Sequence, residues 1–339
     1  MKILITGGLG YIGSHVTSLL LQKGIEVIVI DNLDNTRLEV LDGIESISGK
    51  RPIFKQMDVC DELRLKAVFD EFHDIGGVIH FAAHKSVSES VEAPLKYYDN
   101  NLGGLQKLLK YAVLKSIPFI FSSSCTVYGQ SETLPISESE PLKPPTSPYG
   151  NTKKIGEQII EDCCQAYEGF HAILLRYFNP IGAHPSSKIG EFPKGVPQNL
   201  VPFLTQTVRG IRPVLRVFGS TYDTPDGTCL RDYIHVMDLA EAHIASLDYL
   251  LKNQNSDSCE VYNVGTGKGV SVLELINAFE KATGKKVPYE FADPRPGDTV
   301  AAYADASKIK TKIGWKAQYS LEEALKSAWE WEKSLERIE

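Results

Sequence analysis

Tyr149 and Lys153 form the pair of side chains in this sequence best suited to acid–base chemistry. They stand four positions apart, so on a helix they project from one face. Ser147 and Pro148 precede them and mark a helix start, because proline suits the first helical turn. A tyrosine hydroxyl ordinarily titrates near pKa ~10, and a lysine ammonium beside it favours the phenolate. The pair therefore predicts a general base for a substrate hydroxyl.

A run of three serines ends an apolar segment about 25 residues before this pair. Ser124, the last of them, is predicted to hydrogen-bond the substrate hydroxyl and to relay its proton to Tyr149. The other two, Ser122 and Ser123, are typical of strand ends. Alone, a tyrosine–lysine pair at this spacing also occurs by chance on exposed helices. Its combination with the serine run and a glycine-rich turn favours a catalytic site.

The glycine-rich turn occupies residues 7–13, directly after the first apolar segment. Its spacing is typical of turns that bring the backbone close to a pyrophosphate at a helix N-terminus. Asp31 ends the second apolar segment, where a carboxylate accepts hydrogen bonds from ribose hydroxyls and repels a 2′-phosphate. The pattern predicts NAD, although Arg37 leaves NADP open. Asp58 is either an adenine neighbour or a helix cap.

The elements that must position these residues alternate between short apolar runs and amphipathic stretches. Strands are predicted at 2–6, 26–30, 52–56, 78–81 and 117–121, with helices at 12–24 and around 102–113. Near-continuous Ile, Val and Leu runs fit strands that are buried on both faces. The fold class is therefore α/β, a Rossmann-type doubly wound parallel sheet with a smaller mixed α/β domain.

The second half is less regular, beginning with the proline- and glycine-rich stretch 179–199. No regular structure is expected there, and a loop of this length in a compact chain is usually functional. We predict a nucleotide-binding domain from 1–178 plus about 234–265. The remaining segments, 179–233 and 266–339, form the predicted substrate domain.

Composition limits the classes of function. Lys and Arg number 36 against 43 Asp and Glu, a net charge of −7, which argues against nucleic acid as the main partner. The six cysteines include no CxxC pair, the histidines form no HExxH motif, and no apolar stretch approaches the roughly 18 residues of a membrane span. We expect a cytoplasmic enzyme without a metal.

Several segments together resemble one family over almost the whole chain and in the same order. They are residues 7–15, 31–33, 122–129, 175–180, 231–236 and 295–298. With the Tyr149/Lys153 pair they resemble the extended short-chain dehydrogenase/reductase superfamily and, within it, the UDP-glucose 4-epimerases (UDP-galactose 4-epimerases). The resemblance implies reversible C4 epimerisation of a UDP-hexose through a transient 4-keto sugar. It further implies tightly bound NAD, a place in galactose metabolism, and a homodimer.

The resemblance also implies site residues. Tyr149, Lys153 and Ser124 would be catalytic. The implied cofactor contacts are Gly7, Gly10, Tyr11, Ile12, Gly13, Asp31, Asn32, Leu33, Asn35, Thr36, Asp58, Val59, Phe81, Ala82, Ala83, Lys85, Asn100, Ser122, Tyr149, Lys153 and Phe178. The implied UDP-sugar contacts are Lys85, Ser124, Tyr149, Asn179, Asn199, Leu200, Arg216, Val217, Phe218, Arg231, Arg295, Asp298 and Ala302. A diphosphate suits the two arginines Arg231 and Arg295, although either alone is more often a surface residue.

Three positions depart from the family pattern or vary within it. Ala302 aligns with a position at the sugar pocket where the family carries either a bulky aromatic or a small residue. A small side chain there leaves space for a 2-acetamido group on the sugar. UDP-GlcNAc and UDP-GalNAc are therefore expected as further substrates. His84 is either a titratable group near the cofactor or a packing substitution. Cys125 stands where alanine is usual, and no redox role is assigned to it.

Two rival functions remain. A 4,6-dehydratase or decarboxylase of the same superfamily is one, but a dehydratase needs an acid/base pair after the serine, and residues 125–127 hold no acid. A non-catalytic NAD-binding regulator is the other, since a fold does not imply a function. Such a regulator has no need of Ser124, Tyr149 and Lys153 together.

The second glycine-rich stretch, 265–269, lacks a P-loop ending and is interpreted as a turn.

Overall fold

A single parallel sheet dominates the computed structural model, which describes residues 1–295 and 299–335. Its strands are β1 (Lys2–Thr6), β2 (Glu26–Asp31), β3 (Ile53–Gln56), β4 (Ile75–His80), β5 (Phe119–Ser124), β6 (Ala172–Tyr177) and β11 (Cys259–Val264). They are ordered β11-β6-β5-β4-β1-β2-β3, and all neighbours are parallel. The order reverses between β1 and β4, the type of point where α/β sheets bind ligands. The predicted Rossmann-type fold is confirmed.

Helices cover both faces of this sheet and build the smaller part of the molecule. They are α1 (Tyr11–Gln22), α2 (Val40–Ser48), α3 (Glu62–Glu71), α4 (Val87–Glu92), α5 (Pro94–Tyr97), α6 (Gly103–Leu114), α7 (Pro148–Ala166), α8 (Leu200–Val208), α9 (Val236–Leu251), α10 (Val272–Thr283), α11 (Ser307–Ile313) and α12 (Leu321–Ser334). A π-helical turn (Tyr98–Leu102) leads into α6, and a 3₁₀ turn (Cys125–Tyr128) follows β5. None of the helices in the described ranges has the length and apolar character to cross a membrane.

Successive side chains of the central strands enter two different cores. In β1, Ile3 and Ile5 pack with helices α1 and α9, whereas Leu4 packs with α3, α6 and α7. All three are fully buried. Each such side chain contributes about 1.5–3 kcal/mol through burial, so slipping a strand by one residue would be costly. This two-sided burial explains the near-continuous apolar runs in the sequence.

Further short strands lie outside the seven-stranded sheet and form small sheets of two or three strands. They are β7 (Asn179–Ile181), β8 (Leu215–Phe218), β9 (Leu230–Arg231), β10 (Tyr233–His235), β12 (Val270–Ser271), β13 (Tyr289–Ala292) and β14 (Ala301–Ala302). β7 pairs with β10, β8 with β13, and β9 lies between β12 and β14. The stretch 179–199 is thus not wholly irregular, because β7 begins it. The predicted division into two domains stays a prediction.

Candidate active site at the carboxyl edge of the sheet

Four strands end at one edge and deliver the predicted site residues there. The glycine-rich turn follows β1, Phe81 to Ala83 follow β4, Ser124 ends β5, and Phe178 follows β6. Because the strands are parallel, their carboxyl ends face the same crevice. Phe81 is linked to the first strand by its backbone N–H, which donates to the carbonyl of Thr6 at 3.0 Å.

Helix α7 carries the tyrosine and the lysine into this crevice. Ser147 caps the helix by accepting a hydrogen bond from the Gly150 backbone N–H at 3.2 Å, and Pro148 occupies the first turn, as predicted. Lys153 Nζ donates to the Ser122 carbonyl at 2.7 Å. The Ser124 side chain lies close enough to Tyr149 to lower its pKa. The three predicted catalytic side chains therefore converge, and all are buried.

Burial sets the protonation of this group. It raises the pKa of Tyr149 well above its ordinary value, while the hydrogen bond from Ser124 acts in the opposite direction. Burial also lowers the pKa of Lys153, to about 8. The nearby Glu157 carboxylate acts in the opposite direction and raises this pKa. The phenolate consequently needs a positive charge close by to form near neutral pH. The predicted lowering of the Tyr149 pKa by Lys153 stays a prediction.

The glycine-rich turn leaves no space for side chains. Gly7 has φ +68°, and a Cβ there would lie 2.8 Å from the Ala82 nitrogen. A Cβ on Gly13 would lie 2.3 Å from the Gly7 carbonyl oxygen. Helix α1 begins at Tyr11, and no side chain caps it at Gly10. The uncapped first turn presents backbone N–H groups, and this cradle fits a pyrophosphate.

Asp31 lies beside the glycine-rich turn with its carboxylate already oriented. It accepts hydrogen bonds from the backbone N–H groups of Leu9 at 3.1 Å and Leu33 at 2.9 Å. Burial raises the pKa of Asp31, and the two N–H groups oppose that rise. Arg37, which left NADP open, lies with its guanidinium carbon 3.2 Å from the centre of the Phe192 ring. These residues fit a dinucleotide whose adenosine ribose carries free hydroxyls.

The other predicted cofactor residues lie on the loops around this cradle. Tyr11 and Ile12 are in the first turn of α1; Asn32, Leu33, Asn35 and Thr36 follow β2; Asp58 and Val59 follow β3; Lys85 follows Ala83; Asn100 is in the π-helical turn; Ser122 is in β5. Asp58 accepts from the Cys60 backbone N–H at 2.8 Å and from Asn32 Nδ2 at 3.3 Å. Asp61, not Asp58, caps helix α3. The helix-cap interpretation of Asp58 is therefore wrong, and its contact with adenine stays a prediction.

The loop from Gly182 to Asn199 crosses the edge between the two predicted binding regions. Glu191 Oε1 accepts from Lys85 Nζ at 3.0 Å and from Asn199 Nδ2 at 2.7 Å. Lys194 Nζ donates to the carbonyls of Leu33 and Asp34 at 2.8 and 2.7 Å. Sequence reasoning had not singled out Glu191 or Lys194. Their position in a loop predicted to be functional was the available signal.

The predicted UDP-sugar residues occupy the neighbouring rim. Asn179 begins β7, Leu200 begins α8, Arg216 to Phe218 lie on β8, Arg231 on β9 and Ala302 on β14. Arg231 and Ala302 are direct partners in the β9–β14 pairing. Arg295 lies with its guanidinium carbon 4.9 Å from the centre of the Phe218 ring. Asp298 lies outside the described residues.

Two neighbours on strand β8 point in different directions. The Arg216 side chain is 65% exposed and pairs with Glu290 at 3.4 Å. Val217 is 1% exposed and belongs to the core of the smaller part. The Arg216 side chain therefore points into solvent. Any contact of strand β8 with a uridine base would come from the strand's backbone or from Phe218.

Asp232 is a buried residue that sequence reasoning missed. It follows Arg231, is fully buried, and accepts from the backbone N–H groups of Gly267 at 3.0 Å and Ala304 at 3.1 Å. Its other oxygen accepts from the N–H and the hydroxyl of Thr266 at 2.8 and 2.6 Å. The second glycine-rich stretch therefore wraps around this carboxylate.

His84 and Cys125 are both partly buried. The His84 ring lies 5.5 Å from the Tyr97 ring, and burial lowers its pKa. Its Nδ1 lies 3.7 Å from a carboxylate oxygen of Asp34. Burial raises the pKa of Cys125 to about 12, so its thiol stays protonated. This arrangement favours the packing interpretation of His84.

Known proteins match this arrangement over nearly the full chain. A family model described as GDP-mannose 4,6 dehydratase matches residues 4–328. The UDP-glucose 4-epimerase of Bacillus subtilis is 50% identical over 338 residues, covering 98% of this chain and 97% of that protein. A crystal structure of UDP-glucose 4-epimerase from Stenotrophomonas maltophila, with bound NAD and formylated UDP-arabinopyranose, is 42% identical. It covers all of both chains at a TM-score of 0.96.

A further solved relative bears on the sugar. The UDP-Glc/GlcNAc 4-epimerase of Campylobacter jejuni is 38% identical and covers 98% of this chain and 99% of its own at a TM-score of 0.84. Together with the convergent serine, tyrosine and lysine, these similarities confirm the resemblance found in the sequence. The chain belongs to the UDP-glucose 4-epimerase family of the extended short-chain dehydrogenase/reductase superfamily.

Proposed function

We propose that this enzyme interconverts UDP-glucose and UDP-galactose through a 4-keto sugar, with NAD as its resident cofactor, in galactose metabolism. The observation that carries the proposal is the convergence of Ser124, Tyr149 and Lys153 beside a cradle shaped for a pyrophosphate. NAD, when bound, supplies the chemistry of accepting a hydride from C4 and returning it. The uncapped α1 N-terminus and Asp31 would hold its pyrophosphate and its adenosine ribose.

The chain's own residues supply the proton chemistry. Tyr149 takes the proton of the sugar 4-hydroxyl, and Ser124 holds that hydroxyl and relays the proton. Lys153 provides the positive charge that stabilises the phenolate. Because Tyr149 is buried and its pKa is raised, that charge matters more here than it would at a solvated site. The same tyrosine returns the proton when the 4-keto sugar is reduced from its other face.

Inversion requires the sugar to turn while the nucleotide stays in place. Arg231 and Arg295 are the residues proposed to hold the diphosphate, because guanidinium groups bind it through paired hydrogen bonds. The sugar itself is held more weakly, so that either face can be presented. Most of the binding energy therefore falls on the nucleotide.

The acetamido sugars are included in the proposal because of Ala302. Its methyl group packs against the small apolar cluster of Val127, Tyr128, Ile136, Phe178 and Ala304, where Phe178 is a predicted nicotinamide neighbour. A small side chain there leaves space beside the sugar. UDP-GlcNAc and UDP-GalNAc are thus proposed as a second substrate pair, in addition to the hexose pair.

The test is to incubate the purified protein separately with UDP-galactose and UDP-GalNAc and to identify the products by NMR. The proposal expects UDP-glucose and UDP-GlcNAc. A product that has lost its 6-hydroxyl would instead support a dehydratase, and no conversion with added NAD would support the regulator. A homodimer and a cytoplasmic location remain predictions, which gel filtration and cell fractionation would test.

A further inference from the structure

A buried ion pair lies directly behind the catalytic group. Glu157, on α7, is one helical turn beyond Lys153, and its carboxylate is 2.6 Å from Arg176 Nη2 on β6. The side chains are 2% and 5% exposed. A pair buried this deeply often adds nothing to stability over apolar residues, since desolvation of both charges is costly. Its presence beside the catalytic lysine therefore suggests another role.

The carboxylate of Glu157 joins three elements that carry the site. Its Oε1 accepts a hydrogen bond from Ser123 Oγ at 2.5 Å and one from Arg176 Nε at 2.9 Å. Ser123 separates Ser122, whose carbonyl binds Lys153, from the catalytic Ser124. In the β5–β6 pairing, Ser123 lies directly opposite Arg176. One carboxylate thus ties the end of β5 to α7 and to β6.

The network continues away from the site and is saturated with hydrogen bonds. Arg176 Nη1 donates to the Tyr128 hydroxyl at 3.1 Å, which donates to Asn263 Oδ1 at 2.7 Å. Asn263 Nδ2 then donates to the Ile136 carbonyl at 2.8 Å. Satisfied buried networks of this kind hold their members in one geometry. The position of Ser124 relative to α7 is consequently fixed from behind.

We propose that Glu157 is a positioning residue for the epimerisation proposed above. Its carboxylate holds the Ser124 strand end against the helix of Tyr149 and Lys153. Its negative charge keeps Lys153 in the ammonium form that the tyrosine needs. The inference rests on the proposed function for its catalytic consequence, but not for its electrostatic one.

The groups around Lys153 support the electrostatic part. Glu157 on α7 and His80 on β4 are the titratable groups that interact with Lys153. From β5, the Ser122 carbonyl accepts from Lys153 Nζ at 2.7 Å, and the centre of the Phe121 ring lies 4.9 Å from it. Burial and Lys153 lower the pKa of His80 to about 3, so this ring stays neutral between pH 5 and 10. Glu157 is the acid that raises the Lys153 pKa. Since a nearby anion raises a lysine pKa, loss of this charge lowers it further below about 8.

The test measures the titration of Lys153 directly, by NMR of protein labelled with ¹³C at lysine Cε and purified with its cofactor. Lys153→Met assigns the signal. Glu157→Gln removes the negative charge alone and keeps a side chain of the same size against Ser123 and Arg176. Its Lys153 midpoint should fall by about one pH unit, and the alkaline limb of the kcat profile should move with it. Glu161→Gln, which removes an acid one turn further along α7, is the matched control and should leave the midpoint in place.

Two further variants separate position from charge and guard against misfolding. Ser123→Ala keeps the ion pair, so it should leave the Lys153 midpoint unchanged while lowering kcat about tenfold at constant KM. Glu157→Asp keeps the charge and should keep the midpoint. An unchanged Lys153 midpoint in Glu157→Gln, or a Ser123→Ala enzyme with full kcat, would overturn the proposal. Absence of epimerase activity in the unmodified protein would overturn the proposed function instead, since the NMR titration needs no turnover.

Discussion

Replacing Gly13 with alanine should weaken cofactor binding without unfolding the protein. The new Cβ would lie 2.3 Å from the Gly7 carbonyl oxygen, about 1 Å inside ordinary contact. That carbonyl accepts the Gly10 N–H at 3.1 Å, so moving it also strains the turn. Overpacking costs about 1–3 kcal/mol, and the weakened hydrogen bond costs about 1 kcal/mol more. Because the displaced atoms form the pyrophosphate cradle, we expect NAD affinity to fall at least about tenfold, equivalent to ~1.4 kcal/mol.

Gly103 provides the matched control. It is the first residue of helix α6, and a Cβ there would meet nothing within 4 Å. Gly103→Ala should therefore be neutral or stabilise the protein by about 0.4–1 kcal/mol. The assay measures the NAD dissociation constant of each variant after the bound cofactor has been removed, together with the free energy of unfolding in urea. A Gly13→Ala protein with unchanged NAD affinity and unchanged stability would refute the cradle argument.

Two further predictions concern the sugar side of the site. Asp232→Asn places an NH₂ group against N–H donors at one end of the side chain. Leaving those buried donors unsatisfied should cost about 3–5 kcal/mol of unfolding free energy in urea, whereas the exposed Asp257→Asn should change it by less than about 0.5 kcal/mol. Equal effects would contradict the structural role given to Asp232. Ala302→Tyr should reduce kcat/KM for UDP-GalNAc far more than for UDP-galactose, and Ala301→Tyr, on the other face of β14, should not discriminate. Equal loss of both substrates in Ala302→Tyr would refute the open-pocket argument.

The sequence predicted the central sheet because its strands are buried on both faces. Strand β1 was predicted with the bounds it has, and β2 differs by one residue. Strand β5 lies further along than expected, at Phe119–Ser124 instead of 117–121, because the serines continue the pairing with β6. Polar residues at a strand end give no hydrophobic signal. The two-residue strands β9, β12 and β14 left no periodicity at all to detect.

The residues of the candidate site likewise fall into those that the sequence could predict and those that it could not. The cluster of Ser124, Tyr149 and Lys153 could be predicted because each residue belongs to a local motif with a chemical reason for its spacing. Asp232 and Glu157 could not, because their partners are distant in the chain. Asp232 binds backbone N–H groups of Thr266, Gly267 and Ala304, and backbone groups carry no sequence signal. Glu157 lies on the predicted helix but acquires its role from Ser123 and Arg176 on two neighbouring strands.

The most direct test of the central claim follows the hydrogen atom at C4 of the sugar. UDP-galactose carrying deuterium at C4 would be incubated with the purified protein without added cofactor, and the UDP-glucose formed would be examined by NMR and mass spectrometry. Oxidation and reduction at C4 within a closed site predict conversion with the deuterium retained at C4. Conversion with loss of deuterium to water, or no conversion at all, would contradict the account.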